Sequence, residues 1–373
     1  MKVFIIGGGP SGMMSAISTK KHHPKADVFL LERNSVLGRK MRLTGGGRCN
    51  VSANVEAKTV IDNTPKNGRF LYSALSNFEP YDIINFFEEN GCPLKEEDHG
   101  RIFPVSNKSK DIVDTLESVI RKLGVHIIFD QIVNNIDVDK KLIETESKSY
   151  TYDKIILACG GRTLPNTGSD GTGYKLSELF NHSVTNLLPA EVPLVSNDTL
   201  IQEKTLQGLS FKDVNIKVYD GNKVKSNITH DLLFAHFGLS GPAALRSSFE
   251  IQKLIEKGPV TISIDFFPNV HELDETHFNY QKRLIDYIST LEGELLYNLK
   301  NFKMTIYDTR GFKYAFVTNG GINLKEVNPK TMGSKLNEDL SFAGELLDMS
   351  SFTGGYNITS ALVTGFTAGK YIL

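Results

Sequence analysis

The chain has 373 residues, 40% of them hydrophobic and 23% charged, with a formal net charge of −1 and a pI near 6.8. These values fit a soluble globular protein of roughly two to three structural units and supply no overall electrostatic drive toward nucleic acid or an anionic membrane. Cys49, Cys92 and Cys159 lie far apart without a CxxC pair, so neither a disulfide framework nor a zinc site is suggested, no metal is expected, and a reducing compartment is the simpler reading.

The first apolar run, Val3 to Ile6, is cut by "GGGPSG" too soon for a signal peptide. No apolar stretch approaches the ~20 residues of a membrane span, and a cytoplasmic location is expected. The run reads as a buried parallel strand, and Gly7, Gly9 and Gly12 follow at GxGxxG spacing before a stretch able to be helical. With Pro10 and Ser11 between them, these glycines let backbone turn sharply and approach a pyrophosphate, whose charge rests on the unpaired amides of the helix start. A second apolar run, "ADVFLLE", ends in Glu32, about 20 positions beyond the last glycine, where an acidic side chain meets a ribose hydroxyl in the dinucleotide fingerprint. FAD and NAD share that fingerprint.

Next comes "RNSVLGRKMRLTGGGRCNVSAN", Arg33 to Asn54. Here the sequence resembles the bacterial flavoprotein family that includes aminoacetone oxidase and a bile-acid enone reductase. The likeness continues through "ILACGGRTLPNTGSDGTGY" (Ile156 to Tyr174), "HFGLSGPAALRSS" (His236 to Ser248), "VTNGGI", "TMGSKL" and "FAGELLDMSSFTGGYNITSALVTGFTAG" (Phe342 to Gly369). It implies an α/β fold: a discontinuous, glutathione-reductase-like, Rossmann-like FAD-binding domain over 1–188 and 311–373. An antiparallel β-rich insert with a short helical subdomain occupies 189–310.

The resemblance implies a set of FAD contacts. They are Gly7, Gly9, Pro10, Ser11, Gly12, Glu32 and Arg33 in the first βαβ unit. Backbone of Gly45, Gly46 and Gly47 approaches the flavin or its ribityl and pyrophosphate arm, with Arg39, Lys40, Arg48 and Asn50 as polar partners. Adenine meets backbone near Val133, and Ala158, Gly160 and Gly161 close a sheet strand where ligands approach an open α/β sheet. A redox role for Cys49 beside Arg48 is the competing reading of "TGGGRCN"; Cys92 and Cys159 read as buried filler.

The segment from Val125 to Cys159 alternates enough for a small β meander leading back to a sheet strand. Near the C-terminus, "LSFAGELLD" reads as a strand followed by Gly344 and by Glu345 and Asp348, suited to ribityl or ribose hydroxyls. A helix opens at Gly354 and Gly355, with Tyr356 and Asn357 at its start; its N-terminus suits the N1 and C2 carbonyl edge of a flavin gaining negative charge.

Between Pro189 and Arg310 the short alternating runs and an Asp220–Gly221 hairpin turn indicate antiparallel strands. Residues 272–300 read as an amphipathic helix with Phe278, Leu284, Ile285, Tyr287, Ile288, Leu291 and Leu295 apolar. This helical subdomain is shorter than in relatives. His236 is the one weak catalytic candidate.

The leading expectation is an FAD-dependent oxidoreductase passing a hydride between flavin N5 and a small or flat organic substrate, as an enone reductase or an amine oxidase, with NADH or NADPH a transient donor. A reductase of a base in structured RNA is the second reading, with Arg39, Lys40, Arg42, Arg310 and Lys313 its candidate contacts. A non-catalytic flavin redox sensor is the third. Oligomeric state is not legible.

Overall fold

In a computed structural model, which describes residues 1–270, 272 and 282–373, the chain forms two compact units. Unit 1 joins Met1–Leu187 to Val317–Leu373, and unit 2 is Leu188–Phe316. The return to unit 1 thus falls later than the expected 311. Residues 311–316 stay with unit 2 because the turn at Gly311 bonds Tyr314 and Ala315, and Phe316 N donates to Glu191 O.

Unit 1 is built on a five-stranded sheet of β1 (Lys2–Ile6), β2 (Asp27–Leu31), β3 (His126–Ile128), β4 (Lys154–Leu157) and β5 (Leu340–Phe342). Their order is β5-β4-β1-β2-β3, and every neighbouring pair is parallel. The "VFII" of β1 and the "IIL" of β4 are fully buried, the continuous apolar pattern of strands covered on both faces. The expected meander is an antiparallel sheet of Val133–Asp137, Leu142–Thr145 and Ser149–Thr151 ahead of β4.

Three helices pack beside the glycine-bearing turns of unit 1. Helix α1 (Pro10–His22) starts with proline at its first position and ends in Lys20, Lys21 and His22, charges that suit the C-terminal end of the helix dipole. Helix α2 (Ser109–Lys122) buries Ile112, Val113, Leu116, Val119 and Ile120, a one-faced helical stripe. Helix α3 (Tyr356–Lys370) is the C-terminal one.

Helices α1 and α3 meet backbone to backbone. A Cβ added to Gly365 would lie 2.3 Å from Ser11 O, and one on Gly369 would lie 2.4 Å from Ser15 O. Ser18 Oγ donates to Phe366 O at 2.6 Å, and the His23 ring bonds Lys370 O at 3.0 Å. Contacts advance in the same direction along both helices, so they run parallel. Nine residues of α3 precede Gly365 and one of α1 precedes Ser11, placing the N-terminus of α3 about 12 Å ahead of that of α1 at 1.5 Å per residue.

Unit 2 carries a seven-stranded antiparallel sheet, in the order Phe302–Ile306, Val260–Asp265, Ser210–Asp220, Lys223–Ala235, Gly238–Ser240, Leu194–Val195, Asp308–Thr309. The expected hairpin turns through Gly221 (φ 58°) and Asn222. Helix Pro242–Leu254 packs on the sheet with Ala243, Ala244 and Ile251 buried.

The single helix expected over 272–300 is corrected: the described part is two short helices, Lys282–Ile288 and Leu295–Lys300. The chain turns between them because Thr290 and Leu291 amides close back on Tyr287 and Ile288 and Gly293 takes φ 108°, a conformation that costs glycine little. Leu284, Ile285 and Ile288 are buried, Leu291 is exposed, and Phe278 lies outside the described residues.

Substituting Gly365 by alanine forces α1 and α3 apart. It is expected to lower stability by about 1–3 kcal/mol, as overpacked cores do, read as an earlier midpoint in guanidinium unfolding followed by far-UV circular dichroism.

Candidate functional site

The turns following β1, β2, β4 and β5 gather beyond the C-terminal ends of these strands, where ligands approach open parallel sheets. Gly7 (φ 109°) leaves β1 so close to β4 that a Cβ would stand 2.5 Å from Ala158 O. A Cβ on Gly12 would strike Gly7 O at 1.8 Å. At Gly9, the N-cap of α1, a Cβ would meet nothing within 4 Å, and no side chain caps the helix. The N-terminus of α1 thus has room beside Gly9 and no capping side chain as an acceptor.

Glu32 is buried at the end of β2, 6% exposed. Its Oε2 accepts from Gly8 N at 2.7 Å, and its Oε1 accepts from Asn34 N and Asn34 Nδ2, both at 2.7 Å. Burial raises its pKa, against the lowering effect of those hydrogen bonds and of Arg33. The carboxylate thus grips the middle of the glycine turn; Oε1 has both lone-pair sites taken, and Oε2 keeps capacity for one further donor. Gln131 N donates to Glu32 O, which ties the approach to buried Val133 to the same corner.

Lys40, Gly161 and Glu345 converge from three distant parts of the chain. Lys40 Nζ lies 2.7 Å from both Glu345 Oε2 and Thr163 Oγ1. Glu345 Oε1 accepts from Thr318 N at 2.8 Å and from Thr163 Oγ1 at 3.2 Å. A Cβ on Gly161 would come within 2.3 Å of Thr318 Oγ1 and 2.8 Å of Glu345 Oε1, and one on Gly344 within 2.5 Å of Ser11 Oγ. Gly160 (φ 74°) faces Ser169.

The glycine run stands beside the start of α3. Gly45, Gly46 and Gly47 have φ of 57°, 66° and 84° and are exposed, and added Cβ atoms on Gly46 and Gly47 would meet nothing within 4 Å. Gly354 (φ 130°) and Gly355 (φ 97°) lead into α3, which has no side-chain cap; a Cβ on Gly355 would lie 2.4 Å from Ser52 O and 3.1 Å from Asn50 Oδ1. Asn50 Oδ1 also accepts from Ile102 N, and Ser52 Oγ meets Thr359 Oγ1 at 3.1 Å.

Other expected contact residues have partners within the protein. Arg33 donates to Asp170 at 2.6 Å; burial would raise the Asp170 pKa, but Thr172 and Arg33 outweigh it and hold the carboxyl below its ordinary value. Arg39 donates to Asn34 Oδ1. Arg48 donates to both oxygens of Glu97 at 2.9 Å and lies 4.0 Å over the Phe103 ring. Lys66 Nζ stands 2.7 Å from Asp348 Oδ1, an ion pair whose angles do not make a directed hydrogen bond. Asn357 pins the loop before α3 through Ser351 N and O, and Tyr356 is buried.

Burial pushes the thiols of Cys49 and Cys159 up to about 12 and raises that of Cys92, so no thiolate is on hand at neutral pH. The glycines of "TGGGRCN" are its outward part, and Cys49 is enclosed. His236 belongs to unit 2, exposed and edge-on to Phe237 at 5.0 Å. Sequence reasoning passed over Asn34, Thr163, Asp170 and Thr318; the Ser-Asp-Gly run within "NTGSDGTGY" is the one local signal, for Asp170.

Among the described residues no group of three or more His, Cys, Asp or Glu side chains could hold a metal ion, and no helix is long and apolar enough to cross a membrane.

Comparison with known proteins places this geometry. The family model described as "HI0933-like protein Rossmann domain" matches residues 1–371. The chain is 29% identical to the 3-dehydro-bile acid delta(4,6)-reductase of Clostridium scindens, over 99% of this chain and 98% of that one. It is 27% identical to the ribosomal RNA dihydrouridine synthase of Haemophilus influenzae, over 99% and 97%. Its fold resembles the 3-ketosteroid-delta4-(5alpha)-dehydrogenase of Rhodococcus jostii RHA1, with TM-score 0.55 and 13% identity over 99% of this chain and 95% of the other.

The folded protein is expected to resist iodoacetamide at pH 8 at all three cysteines and to take up the label only after unfolding in guanidinium, as counted by mass spectrometry.

Proposed function

The chain belongs to the HI0933-like protein Rossmann-domain family and is an oxidoreductase of the flavoprotein type; on that premise we propose that it holds FAD beyond the C-terminal ends of the parallel strands and reduces a carbon–carbon double bond conjugated to a carbonyl. The observation that carries the first half is the pair of uncapped, parallel helix N-termini, each entered through glycine and set apart along one direction. Such termini suit the negative pyrophosphate at α1 and an electron-rich carbonyl edge at α3.

In this reading Gly9, Pro10, Ser11 and Gly12 receive the pyrophosphate and Glu32 a ribose hydroxyl. Backbone near Val133 borders adenine, and Gly45, Gly46, Gly47, Gly161 and Glu345 line the ribityl side. Gly355, Tyr356 and Asn357 present the α3 amides. FAD, when bound, supplies the hydride chemistry. Lys40 and Glu345 neutralise one another, so the site adds little net charge of its own and the helix amides set its electrostatics. We assign NADPH, or NADH, as the donor of electrons.

The second half rests on what the relatives' names share. A 3-dehydro bile acid with Δ4,6 unsaturation and the uracil ring that becomes dihydrouridine both place a C=C bond in conjugation with a carbonyl. The amine-oxidase reading has no counterpart in those names. Reduction of a base in RNA remains the second reading because of the Haemophilus influenzae relative. Of the five cations it needs, Lys40 is paired with Glu345 and Arg42 with Asp114 at 3.6 Å, which favours a small substrate.

The purified protein is expected to be yellow, to bleach anaerobically with NADPH and to regain colour on adding a 4-en-3-one steroid. Colourless protein that refuses FAD while folded overturns the cofactor reading, and bleaching by a primary amine alone favours an oxidase. Glu32→Ala should weaken FAD binding by roughly tenfold to a hundredfold, the worth of a hydrogen bond to a charged group, as followed by flavin fluorescence. Binding to a ribosomal RNA fragment is expected to be weak and indifferent to salt; affinity falling steeply with salt would reinstate the RNA reading.

A further inference from the structure

Unit 2 holds a guanidinium that lies against two aromatic rings and, among the described residues, meets no carboxylate. The two-residue strand Leu194–Val195 pairs on one side with Gly238–Ser240 and on the other with Asp308–Thr309, so the chain at Phe237 and the chain at Arg310 are held to one support. The Arg310 guanidinium carbon lies 4.5 Å from the centroid of the Phe237 ring and 3.6 Å from that of Tyr314. Lys313 Nζ adds a second cation 5.7 Å from the Tyr314 ring. Among the described residues no carboxylate stands within ion-pair reach of Arg310, and its guanidinium donates to none of their oxygens.

Rings stacked on a guanidinium satisfy its faces and leave its five in-plane N–H donors unsatisfied. The clamp also removes much of the side-chain freedom that binding would otherwise cost, so the fork is held ready for a planar partner. Arg33 and Arg48, by contrast, are each matched to a carboxylate, Asp170 and Glu97. Arg310 stands apart from them. Its surroundings are wet-edged and flat: Tyr307, Tyr314 and Phe316 are 44%, 40% and 44% exposed, and His236 is exposed beside Phe237.

We propose that Arg310, with the Phe237 and Tyr314 rings against it, is a binding residue for an oxyanion, a carboxylate or phosphate, carried by a flat conjugated molecule. The in-plane donors take two oxygens of that group side by side, and the exposed rings accept the flat body. The binding of an oxyanion at Arg310 stands independently of the reductase reading above.

The test uses the FAD-loaded full-length protein and two matched pairs of probes, cinnamate against cinnamamide and uridine 5′-monophosphate against uridine, by isothermal titration calorimetry. At least one anion is expected to bind tenfold or more tightly than its neutral partner, the first pair reporting a carboxylate and the second a phosphate. Arg310→Gln should abolish that preference, and Arg310→Lys, which keeps the charge and loses the planar fork, should reduce it at least threefold; circular dichroism and bound flavin confirm the folded state. Should Arg310→Gln not fold, Arg310→Lys carries the comparison. Equal binding within both pairs, or a preference untouched by the variants, overturns the proposal. Failure of the reductase reading is seen separately, as flavin that NADPH bleaches and no enone reoxidises.

Discussion

The contact between α1 and α3 is the constraint on which the rest of unit 1 depends. Two helices from opposite ends of the chain touch backbone to backbone where Gly365 and Gly369 lie against Ser11 O and Ser15 O. At that separation the register is set by backbone shape, and a slip of one residue would bring a Cβ into a carbonyl oxygen. The same contact holds the C-terminal segment within the N-terminal unit, with β5 adding to β4 at the edge of the parallel sheet. It also decides where the two helix N-termini lie, and so where uncompensated positive potential appears.

Around these termini the chain's own charges are mostly neutralised by one another. Arg33 faces Asp170, Lys40 faces Glu345, Arg48 faces Glu97 and Lys66 faces Asp348. Burial raises the Cys49 and Cys159 thiols to about 12, so they are protonated at neutral pH. A site so furnished offers shape, backbone amides and a poised electrostatic background, with few groups ready for acid, base or nucleophilic work. That division suits an enzyme whose reactive chemistry is carried by a bound cofactor. Unit 2 supplies the contrast, since Arg310 lies against two aromatic rings and meets no carboxylate among the described residues.

The first strand, its glycine turn and the helix after it are legible because each depends on local chemistry: a continuous apolar run, glycines that alone tolerate the close approach, and proline at the first helical position. Glu32 is legible from spacing. What it does is less so, since the carboxylate that spacing assigns to a ribose also accepts from Gly8 and Asn34. Arg48 and Asn357 illustrate a different difficulty. Their polarity and their place in a glycine-rich motif suggest ligand contacts, yet Arg48 is taken up by Glu97 and Phe103 and Asn357 by the Ser351 backbone. Partners 49 and 6 residues away are decided by folding and not by motif. The single helix expected over 272–300 gives way to two in the described part, because apolar periodicity persists across a turn that Gly293 and closing backbone bonds introduce.

The sequence by itself determined the class of the fold, the dinucleotide turn, the C-terminal helix with its glycine entry and the antiparallel character of the insert, since each is written in patterns a few residues long. Tertiary structure alone decided that Gly365 and Gly369 bring α1 and α3 into parallel contact, that Lys40 meets Glu345 across most of the chain, and that Arg310 meets Phe237. These pairings join residues remote in sequence, and what selects them is whether backbones can close to touching distance and whether each buried or half-buried charge finds a partner, conditions met only once the whole chain has packed.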